Sequence, residues 1–379
     1  MSVRVLHVIE DFSSGNTGVT SVVRQIAQWQ AKHCEWVGVY ATGPIDLTPP
    51  VGVCVEVAAL DEKYRSWRYP IDGMAGLQRF IVANGVTVVH LHGLWRAAPV
   101  LGIRAATALG LPTILSVHGQ TSPWALGEQG VFKKVKKQLY WSLFAQREFK
   151  EVAVLHAITP LESEHIELFF NRADSVVIPN AIDLDFQDET LIPKEIPAHV
   201  FAFLGRLHPV KGVDILIEAF SSAKFEQADW RLVLAGPQEV PEYVARLRHL
   251  ASSGGRCAQI EFAGPVFNQS KNDLLQGAWA LIAPSHTEVV GMVNLEAAVW
   301  STPSITTQQT GLKDWESGGG VLVSPTVDSL RSALENVSRW SMDDRVKRGQ
   351  ASRELVKARY SLAVAGPMWI NLYKKLGSN

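Results

Sequence analysis

The sequence predicts an α/β protein made of two doubly wound, Rossmann-like domains. Short apolar runs typical of buried parallel strands alternate with loops and amphipathic segments, and this rhythm restarts halfway along the chain. A chain of 379 residues is also too long for one ordinary hydrophobic core. We place an N-terminal domain at residues 1–185 and a C-terminal domain at 186–361, with an acidic, proline-rich linker over 187–199.

Composition and charge exclude several classes of protein. The net charge is −1, which argues against nucleic acid as a general partner. Cys34, Cys54 and Cys257 form no CxxC or zinc pattern, and such cysteines fit a reducing cytosol. No stretch has the apolar length of a membrane span, and Glu10 and Asp11 interrupt the first apolar run too early for a signal peptide. We expect a cytoplasmic protein that is soluble or peripherally attached to the inner membrane face.

The first predicted strand covers residues 3–9 and leads into a glycine-containing loop at 11–19. Glycine lets the backbone approach a ligand closely, and Gly18 stands just before the predicted helix. The loop is not GxGxxG, so a dinucleotide fingerprint is not supported. From this loop alone, a ligand-binding turn and a plain turn are equally supported.

Polar residues follow later strands of the first domain at the points where those strands end. Apolar runs predict these strands at 36–40, 53–57, 86–91, 113–117 and 153–158. The run 86–91 leads into His92, Trp95 and Arg96, and the run 113–117 leads into His118. The carboxyl ends of parallel strands meet at one sheet edge, so we expect these side chains to share a site. Metal binding is the other hypothesis for the histidines, but no carboxylate accompanies them at ligand spacing.

Basic residues outnumber acidic ones between residues 63 and 150, and aromatic residues are interleaved with them, as in the segment 64–69. On a predicted helix, Phe132, Val135 and Leu139 share one face. The lysines turn towards another face: Lys133, Lys136 and Lys137. Such a helix can lie in an anionic membrane surface and receive a lipid-linked acceptor. A solvated lysine face over an ordinary core is the equally supported alternative.

In the second domain, a strand at 200–204 is followed by a loop with two cations and two glycines. Arg206 and Lys211 lie in this loop, between Gly205 and Gly212. Close backbone approach together with positive charge suits a diphosphate group. An incidental basic loop is the alternative interpretation.

A strand, a short loop and a helix N-terminus are predicted over residues 279–299. The apolar run 279–283 ends at a Pro-Ser turn, and the helix begins near Gly291. Unpaired N–H groups and the positive end of the helix dipole suit a phosphate. Glu288 on the loop and Glu296 inside the helix would reach two different parts of one bound molecule. Two solvated glutamates on an ordinary strand–loop–helix are the alternative.

Glu288 and Glu296, with seven residues between them after a Pro-Ser turn, resemble the signature of the group 1, or family 4, glycosyltransferases, which are retaining enzymes of the GT-B fold. The resemblance implies that Glu288 contacts the donor sugar and that Glu296 holds the ribose hydroxyls. It places the diphosphate against the backbone of Gly291 and Met292. The Gly-Arg-Leu loop with its following Lys-Gly is similar to the family's donor-phosphate loop, so Arg206 and Lys211 would neutralise the leaving group.

The same resemblance extends to other parts of the chain. Val266 and Phe267 would meet the nucleobase, largely through the backbone, and His118 would approach the transferred sugar near the reacting carbon. Gly18 corresponds to the second glycine of the family's first loop. We expect the acceptor side to include the residues after the fourth strand: His92, Trp95 and Arg96. The chain departs from the family pattern at Thr17, Ala181 and Val290.

For the fold, the resemblance implies two domains that face a central cleft, with the last helix, 362–379, packed back on the N-terminal domain. It implies a metal-independent, retaining hexosyltransferase without a cofactor. Its partners would be a nucleotide-sugar donor and a glycan or lipid-linked saccharide acceptor, in bacterial surface polysaccharide synthesis. Two alternatives stay open, a sugar-nucleotide epimerase of the same fold and an inactive carbohydrate-binding or scaffold subunit.

Overall fold

The computed structural model describes residues 2–13, 18–43, 48–63, 68–127, 131–184 and 199–377. Most of the predicted linker therefore lies outside the described residues, as do Thr17 and most of the segment 64–69. The chain divides into two compact units. Unit 1 is Met1–Asp183 with Leu362–Asn379, and unit 2 is Leu184–Ser361.

Unit 1 contains a 7-stranded parallel sheet in the order β3-β2-β1-β4-β5-β6-β7. Its strands are β1 (Arg4–Ile9), β2 (Trp36–Ala41), β3 (Cys54–Val57), β4 (Val88–His92), β5 (Thr113–Ser116), β6 (Val154–Ala157) and β7 (Ser175–Val177). They are short and mostly buried, as expected for a parallel sheet that is covered on both faces.

The helices of unit 1 follow its strands in alternation. They are α1 (Gly18–Gln30), α2 (Gly73–Ala83), α3 (Ala97–Ala108), α4 (Pro123–Gly127), α5 (Val131–Tyr140), α6 (Gln146–Phe149) and α7 (Pro160–Phe170). A π-helical turn, Trp141–Ala145, joins α5 to α6. The C-terminal helix, Leu362–Gly377, also belongs to this unit and packs against α1 and β4, with Pro367 inside it.

The two faces of the unit 1 sheet have different neighbours. Side chains alternate between the faces along a strand. On β1, Leu6 and Val8 belong to one apolar cluster, and Val5 and Ile9 belong to the other. The second cluster also contains Trp369 and Tyr373 of the C-terminal helix. Because His7 lies between Val5 and Ile9 in the alternation, it faces this second cluster.

The helix α5 is oriented differently from the prediction. The Nζ of Lys137 donates to the carbonyl of Ala125 at 2.7 Å and lies 4.9 Å from the ring centroid of Trp95. The prediction that Lys137 belongs to an outward lysine face is therefore wrong. Val135 and Leu139 are exposed instead, by 48% and 54%. An apolar stripe that faces outwards turns the opposite side of the helix, which carries Lys137, towards the protein.

The side chains of Phe132, Lys133, Lys134 and Lys136 lie outside the part of the chain that the structure describes. Among the helices that it does describe, none is long and apolar enough to cross a bilayer.

Unit 2 contains a 6-stranded parallel sheet in the order β10-β9-β8-β11-β12-β13. Its strands are β8 (Val200–Leu204), β9 (Arg231–Ala235), β10 (Ile260–Gly264), β11 (Ala280–Ala283), β12 (Ser304–Thr307) and β13 (Val321–Val323). Its helices are α8 (Val213–Ser222), α9 (Pro241–Ser253), α10 (Asn268–Gly277), α11 (Met292–Val299), α12 (Val327–Val337) and α13 (Met342–Arg359). Short 3₁₀ turns cover Pro209–Lys211, Cys257–Gln259 and Trp315–Gly318.

The core of unit 2 is rich in large aromatic side chains. Phe201 and Trp230 are fully buried and stack with their ring centroids 4.4 Å apart. Trp279 meets Trp230 edge to face, and its Nε1 donates to the carbonyl of Val337 at 2.9 Å. This pairing satisfies the indole N–H in a buried site.

Both sheets reverse their strand order at one point, next to their first strand. The reversal falls between β1 and β4 in unit 1 and between β8 and β11 in unit 2. Loops that leave neighbouring parallel strands towards opposite sides open a crevice at the carboxyl ends, where ligands of such sheets bind. The predicted α/β, doubly wound fold class is confirmed.

Candidate active site

The switch point of unit 2 brings the loops after β8 and β11 into contact. Gly212 has φ 63°, and a Cβ atom there would lie 2.3 Å from the carbonyl oxygen of Pro284. Only glycine allows this close approach. Lys211 therefore reaches the loop that carries Glu288, and its ammonium group forms an ion pair with the Glu288 carboxylate.

The ion pair of Lys211 and Glu288 is partly open to solvent. The two side chains are exposed by 22% and 25%, and the Ser285 hydroxyl donates to the same Glu288 oxygen at 3.3 Å. Such a partly exposed ion pair contributes little to the free energy of unfolding, so a ligand can replace one of its two members at small cost.

Two further predicted site residues are paired with groups that the sequence did not indicate. Glu296 accepts from Lys271 of α10 at 2.9 Å, and Arg206 meets Glu239 at 3.0 Å. No sequence pattern predicted these two pairings, because Lys271 and Glu239 each lie on a different element from the residue with which they pair. Sheet order and helix position, which only the fold determines, bring them together.

The N-terminus of α11 is held in place by a buried asparagine. Gly291 precedes Met292 with φ 68°, which places it in the left-handed region as the helix cap. Asn294 is fully buried. It donates to the Gly291 carbonyl at 3.1 Å and accepts from the Ser304 hydroxyl at 2.8 Å. The first N–H groups of a helix have no acceptor within the helix, so this fixed end is suited to an anion.

Val266 and Phe267 lie after β10, at the edge of the sheet furthest from β13. Phe267 caps α10 and is 53% exposed, whereas Val266 is half-buried. The carbonyl of Phe267 accepts from the backbone N–H of Lys271 at 3.4 Å. Because the Lys271 side chain reaches Glu296, the first turn of α10 connects the predicted base and ribose positions.

A cavity of about 310 Å³ lies at the switch point of unit 1. Its lining includes the predicted acceptor-side residues His92, Trp95 and Arg96. Gly18 is the first residue of α1. The two residues that follow it, Val19 and Thr20, line the cavity. A Cβ atom at Gly18 would meet nothing within 4 Å, so packing does not require glycine there.

The same cavity is also lined by charged groups that the sequence did not indicate as site residues. Glu10 lies between Arg68, at 3.5 Å, and Arg96, at 3.3 Å, and Asp11 meets Arg68 at 2.8 Å. Burial raises the pKa of Glu10, although both guanidinium groups act in the opposite direction. Two carboxylates directly after β1 were the available signal.

His118 has a left-handed backbone, with φ 51°, which is uncommon outside glycine. The Glu162 carboxylate holds its loop by accepting from the N–H groups of Gly119, at 2.5 Å, and Ile158, at 2.6 Å. Burial raises the pKa of Glu162 to about 7, although these two N–H donors act against the shift. The imidazole Nε2 of His118 lies 2.9 Å from Nδ1 of His92, so these two histidines are in direct contact.

Within the described residues, one set of three side chains could hold a metal ion. His7, His90 and His92 are buried, and each offers a nitrogen atom within 4.8 Å of the others. These nitrogens also hydrogen-bond to protein groups, as described below. His7 and His90 were not among the predicted site residues. The spacing of His90 and His92, two residues apart on one strand, was a signal that they share a face.

Two parallel, doubly wound sheets, each with polar groups at its switch point, define the GT-B class of glycosyltransferase folds. The family model for a glycosyl transferase 4-like domain matches residues 17–181. The family model for glycosyl transferases group 1 matches residues 198–339. The chain therefore belongs to the group 1, or family 4, glycosyltransferases.

Individual relatives agree with this assignment. The chain is 26% identical over 173 residues to D-inositol 3-phosphate glycosyltransferase of Jonesia denitrificans, a match that spans 43% of this chain and 40% of the relative. HepE of Anabaena in complex with UDP-glucose superposes with a TM-score of 0.76 at 16% identity, over 98% of this chain and 99% of that one. WaaG, a glycosyltransferase involved in lipopolysaccharide biosynthesis, superposes with a TM-score of 0.70 at 16% identity, over 95% of this chain and 97% of that one. At these identities the two structures show the fold.

Proposed function

We propose that this chain is a retaining hexosyltransferase that moves a sugar from a nucleotide-sugar donor to a glycan or lipid-linked saccharide acceptor. The observation that carries the proposal is the ion pair of Lys211 and Glu288 at the switch point of unit 2. The helix α11 begins at the same edge of the sheet, shortly after Glu288. A cation, helix amides and a carboxylate together suit a molecule in which a diphosphate adjoins a sugar. Family membership supports the same function.

In the proposed reaction, the bond between the anomeric carbon and a diphosphate oxygen breaks. A bond to the acceptor oxygen forms on the same face of the sugar, and the acceptor hydroxyl proton passes to the departing diphosphate. Arg206, Lys211 and the first amides of α11 stabilise the charge that develops on this leaving group. Since the chain supplies these positive groups itself, we propose that no metal is required. Turnover should then be unchanged by EDTA.

Donor binding would exchange partners within unit 2. Lys211 would move from Glu288 to the diphosphate, and Glu288 would then be available to a sugar hydroxyl. Glu296 would likewise exchange Lys271 for the ribose hydroxyls. Lys211 would exchange one charged partner for another, whereas the two glutamates would exchange an ammonium group for hydroxyl groups that donate to the carboxylate.

Unit 1 would supply the acceptor side. The two carboxylates and two guanidinium groups of its cavity balance in charge, which suits a hydroxyl-rich acceptor.

The exposed Val135 and Leu139 on α5 support a peripheral contact with an anionic membrane. Such a contact fits a lipid-linked acceptor in surface polysaccharide synthesis, and the involvement of WaaG in lipopolysaccharide biosynthesis supports that setting. If a Val135→Ser, Leu139→Ser variant pellets with anionic liposomes as well as the native protein does, the membrane contact is excluded.

The decisive experiment is a thermal-shift screen of UDP, GDP, ADP and their common sugar conjugates. A ligand that binds only the folded chain raises its stability by mass action. We expect one nucleotide series to raise the melting temperature, and we expect Lys211→Ala to abolish the shift. Lys224→Ala is the matched control, since this exposed lysine follows the far end of α8.

The same screen separates the alternatives. No shift with any nucleotide would favour an inactive scaffold subunit. Turnover of a bound donor without any acceptor would favour an epimerase. A product whose formation depends on both donor and acceptor would establish the transferase.

A further inference from the structure

Unit 1 buries an unusual set of polar rings on one face of its sheet. The face is the one covered by α1 and the C-terminal helix. Its polar side chains on the strands are His7, His90, His92, Ser116 and His156, all of them buried. Ring centroids of neighbouring histidines lie 4.3 Å apart for His90 and His92 and 5.0 Å apart for His7 and His90.

These rings form one continuous chain of hydrogen bonds that begins at His118. The Nε2 of His118 meets Nδ1 of His92 at 2.9 Å, and Nε2 of His92 meets Nδ1 of His7 at 3.0 Å. The Nε2 of His7 meets the side-chain carbonyl of Gln30 at 2.7 Å. The amide nitrogen of Gln30 donates to the hydroxyl of Tyr373, on the C-terminal helix, at 3.0 Å.

From Tyr373 the chain returns across the sheet. The Tyr373 hydroxyl meets Nδ1 of His90 at 3.0 Å, and Nε2 of His90 meets the Ser116 hydroxyl at 2.8 Å. Ser116 meets Nδ1 of His156 at 2.7 Å. The chain ends where Nε2 of His156 meets the backbone carbonyl of Ile178 at 2.8 Å.

The final carbonyl sets the direction of every bond in the chain. A carbonyl can only accept, so Nε2 of His156 carries the hydrogen. Burial lowers the pKa of His156 to about 4, so the ring is neutral and its Nδ1 is an acceptor. Ser116 must then donate to His156 and accept from Nε2–H of His90. Burial also lowers the pKa of His90 well below its usual value, so Tyr373 must donate to the neutral ring of His90.

The same argument continues to the other end. Tyr373 has one hydrogen, which it gives to His90, so it accepts from the Gln30 amide. The Gln30 carbonyl accepts from Nε2–H of His7, and the neutral His7 accepts from His92. Burial lowers the pKa of His7 to about 4 and that of His118 to about 3, so these rings are neutral as well. His118 therefore donates through Nε2 and keeps a lone pair on Nδ1.

We propose that this chain is a positioning device that sets the tautomer of His118, so that His118 accepts a hydrogen bond at Nδ1 from a hydroxyl of the bound sugar. Tyr373 is the positioning residue that joins the two halves of the chain. The role of His118 towards a sugar rests on the proposed function, whereas its tautomer rests on the hydrogen-bond chain alone. The ligand class at Nδ1 is a group that can donate, such as a sugar hydroxyl, and a deprotonated phosphate oxygen does not qualify.

Without the Tyr373 hydroxyl, the hydrogen bonds from Gln30 to His118 should no longer be restricted to one donor–acceptor direction. The Gln30 amide can turn over and donate to His7. Each bond from His7 to His118 then reverses, and His118 carries its hydrogen on Nδ1. Both directions become populated because nothing links this half to the Ile178 carbonyl any longer.

The test is nitrogen-15 NMR of the histidine rings in the full chain, which distinguishes a nitrogen that carries hydrogen from one that does not. In the native protein we expect His118 to carry hydrogen on Nε2 and none on Nδ1. In Tyr373→Phe the Nδ1 signal should shift towards the hydrogen-bearing value. The matched control is Tyr40→Phe, a buried tyrosine of β2 that packs in the apolar cluster on the other sheet face. This control should leave the His118 signals unchanged.

Three results would overturn the proposal. They are a hydrogen on Nδ1 of native His118, an unchanged His118 signal in Tyr373→Phe, and a stoichiometric metal bound by His7, His90 and His92, whose nitrogens the chain uses. Loss of one hydrogen bond should also lower kcat by about 3- to 10-fold, with an unchanged Kd for the nucleoside diphosphate. If the native protein has no transferase activity but shows the expected tautomer, the proposed function fails and the hydrogen-bond chain stands.

Discussion

Unit 1 places neutral, hydrogen-bonded histidines on one face of its parallel sheet, whereas unit 2 fills its core with apolar and aromatic side chains and keeps its site charges at the strand ends. In unit 1, His7 and His156 are almost completely buried, and every ring nitrogen that they offer has a protein partner. In unit 2, Lys211 and Glu288 are each about a quarter exposed.

The difference shows two ways to place polar groups in the same kind of fold. A buried neutral chain holds each group in one orientation, because a broken bond would leave an unsatisfied polar atom away from water. A partly exposed ion pair can exchange one charged partner for another at small cost. We propose that the first arrangement orients a group towards an uncharged hydroxyl and that the second accepts a charged phosphate.

The largest expected effect is acid sensitivity that is confined to unit 1. The pKa values of His7 and His156 are lowered by burial to about 4, from 6.5. As the pH falls below 6.5, the unfolded chain takes up protons that the folded unit does not, so the free energy of unfolding decreases. At about pH 5 each of these two histidines should lower it by about 2 kcal/mol. Glu162, with a raised pKa of about 7, gains stability over the same range and offsets part of this loss.

Hydrogen exchange followed by mass spectrometry, at about pH 5 and about pH 7.5 and corrected for intrinsic rates, measures this effect for each unit. Peptides from the unit 1 sheet should lose protection at the lower pH, and those from the unit 2 sheet should keep it. Equal loss in both units would contradict the comparison.

Next in size is the loss of turnover in Lys211→Ala. Removal of a positive group that stabilises the developing charge should lower kcat by about 10²- to 10³-fold. The melting temperature should hardly change, because a partly exposed ion pair contributes less than about 1 kcal/mol. Steady-state kinetics and circular dichroism test both parts, with Lys224→Ala as control. Near-normal turnover in both Lys211→Ala and Arg206→Ala would refute the assignment of this site.

A smaller effect is expected where unit 2 does bury a charge. Arg345 is 1% exposed and donates to the carbonyls of Ala278, at 2.9 Å, and Trp279, at 3.2 Å. Burial lowers its pKa to about 10. Arg345→Met should lower the free energy of unfolding of unit 2 by about 2–3 kcal/mol, because these acceptors lose a charged donor. Urea denaturation measures this.

The control for Arg345 is Arg331→Met on α12, whose side chain is 35% exposed and pairs with Asp328. This change should alter stability by less than about 0.5 kcal/mol. If the two arginine variants were equally stable, the hydrogen bonds from Arg345 to the two carbonyls would make no measurable contribution to the stability of unit 2.

The smallest effect concerns the pair of Lys271 and Glu296. Lys271→Met should change the free energy of unfolding by less than about 1 kcal/mol, since the lysine is 32% exposed and the pair is open to solvent. Urea denaturation against the native protein measures the change. A loss as large as that of Arg345→Met would mean that this pair is structural rather than exchangeable.

Much of the fold could be predicted because strand and loop signals are local. The apolar run at 200–204 matches β8, and the predicted helix start near Gly291 matches the cap of α11. The orientation of α5 could not be predicted, because hydrophobic spacing shows which residues share a face and not which face meets the protein. The inward contacts of Lys137 depend on Trp95 and on Ala125 of α4, which lie outside α5.

The parallel strands, the two-unit rhythm, the loops with Arg206 and Lys211, and the family of the chain all follow from the amino-acid sequence alone. These features depend on residues that are close along the chain, where periodicity and turn chemistry act. The three-dimensional fold was needed to show that Lys211 pairs with Glu288, that Glu10 lies between two arginines, and that Tyr373 closes a chain of histidines from β1, β4 and β6. The physical reason is that strand order and helix packing bring together groups from distant segments, and hydrogen bonding and burial depend on those neighbours.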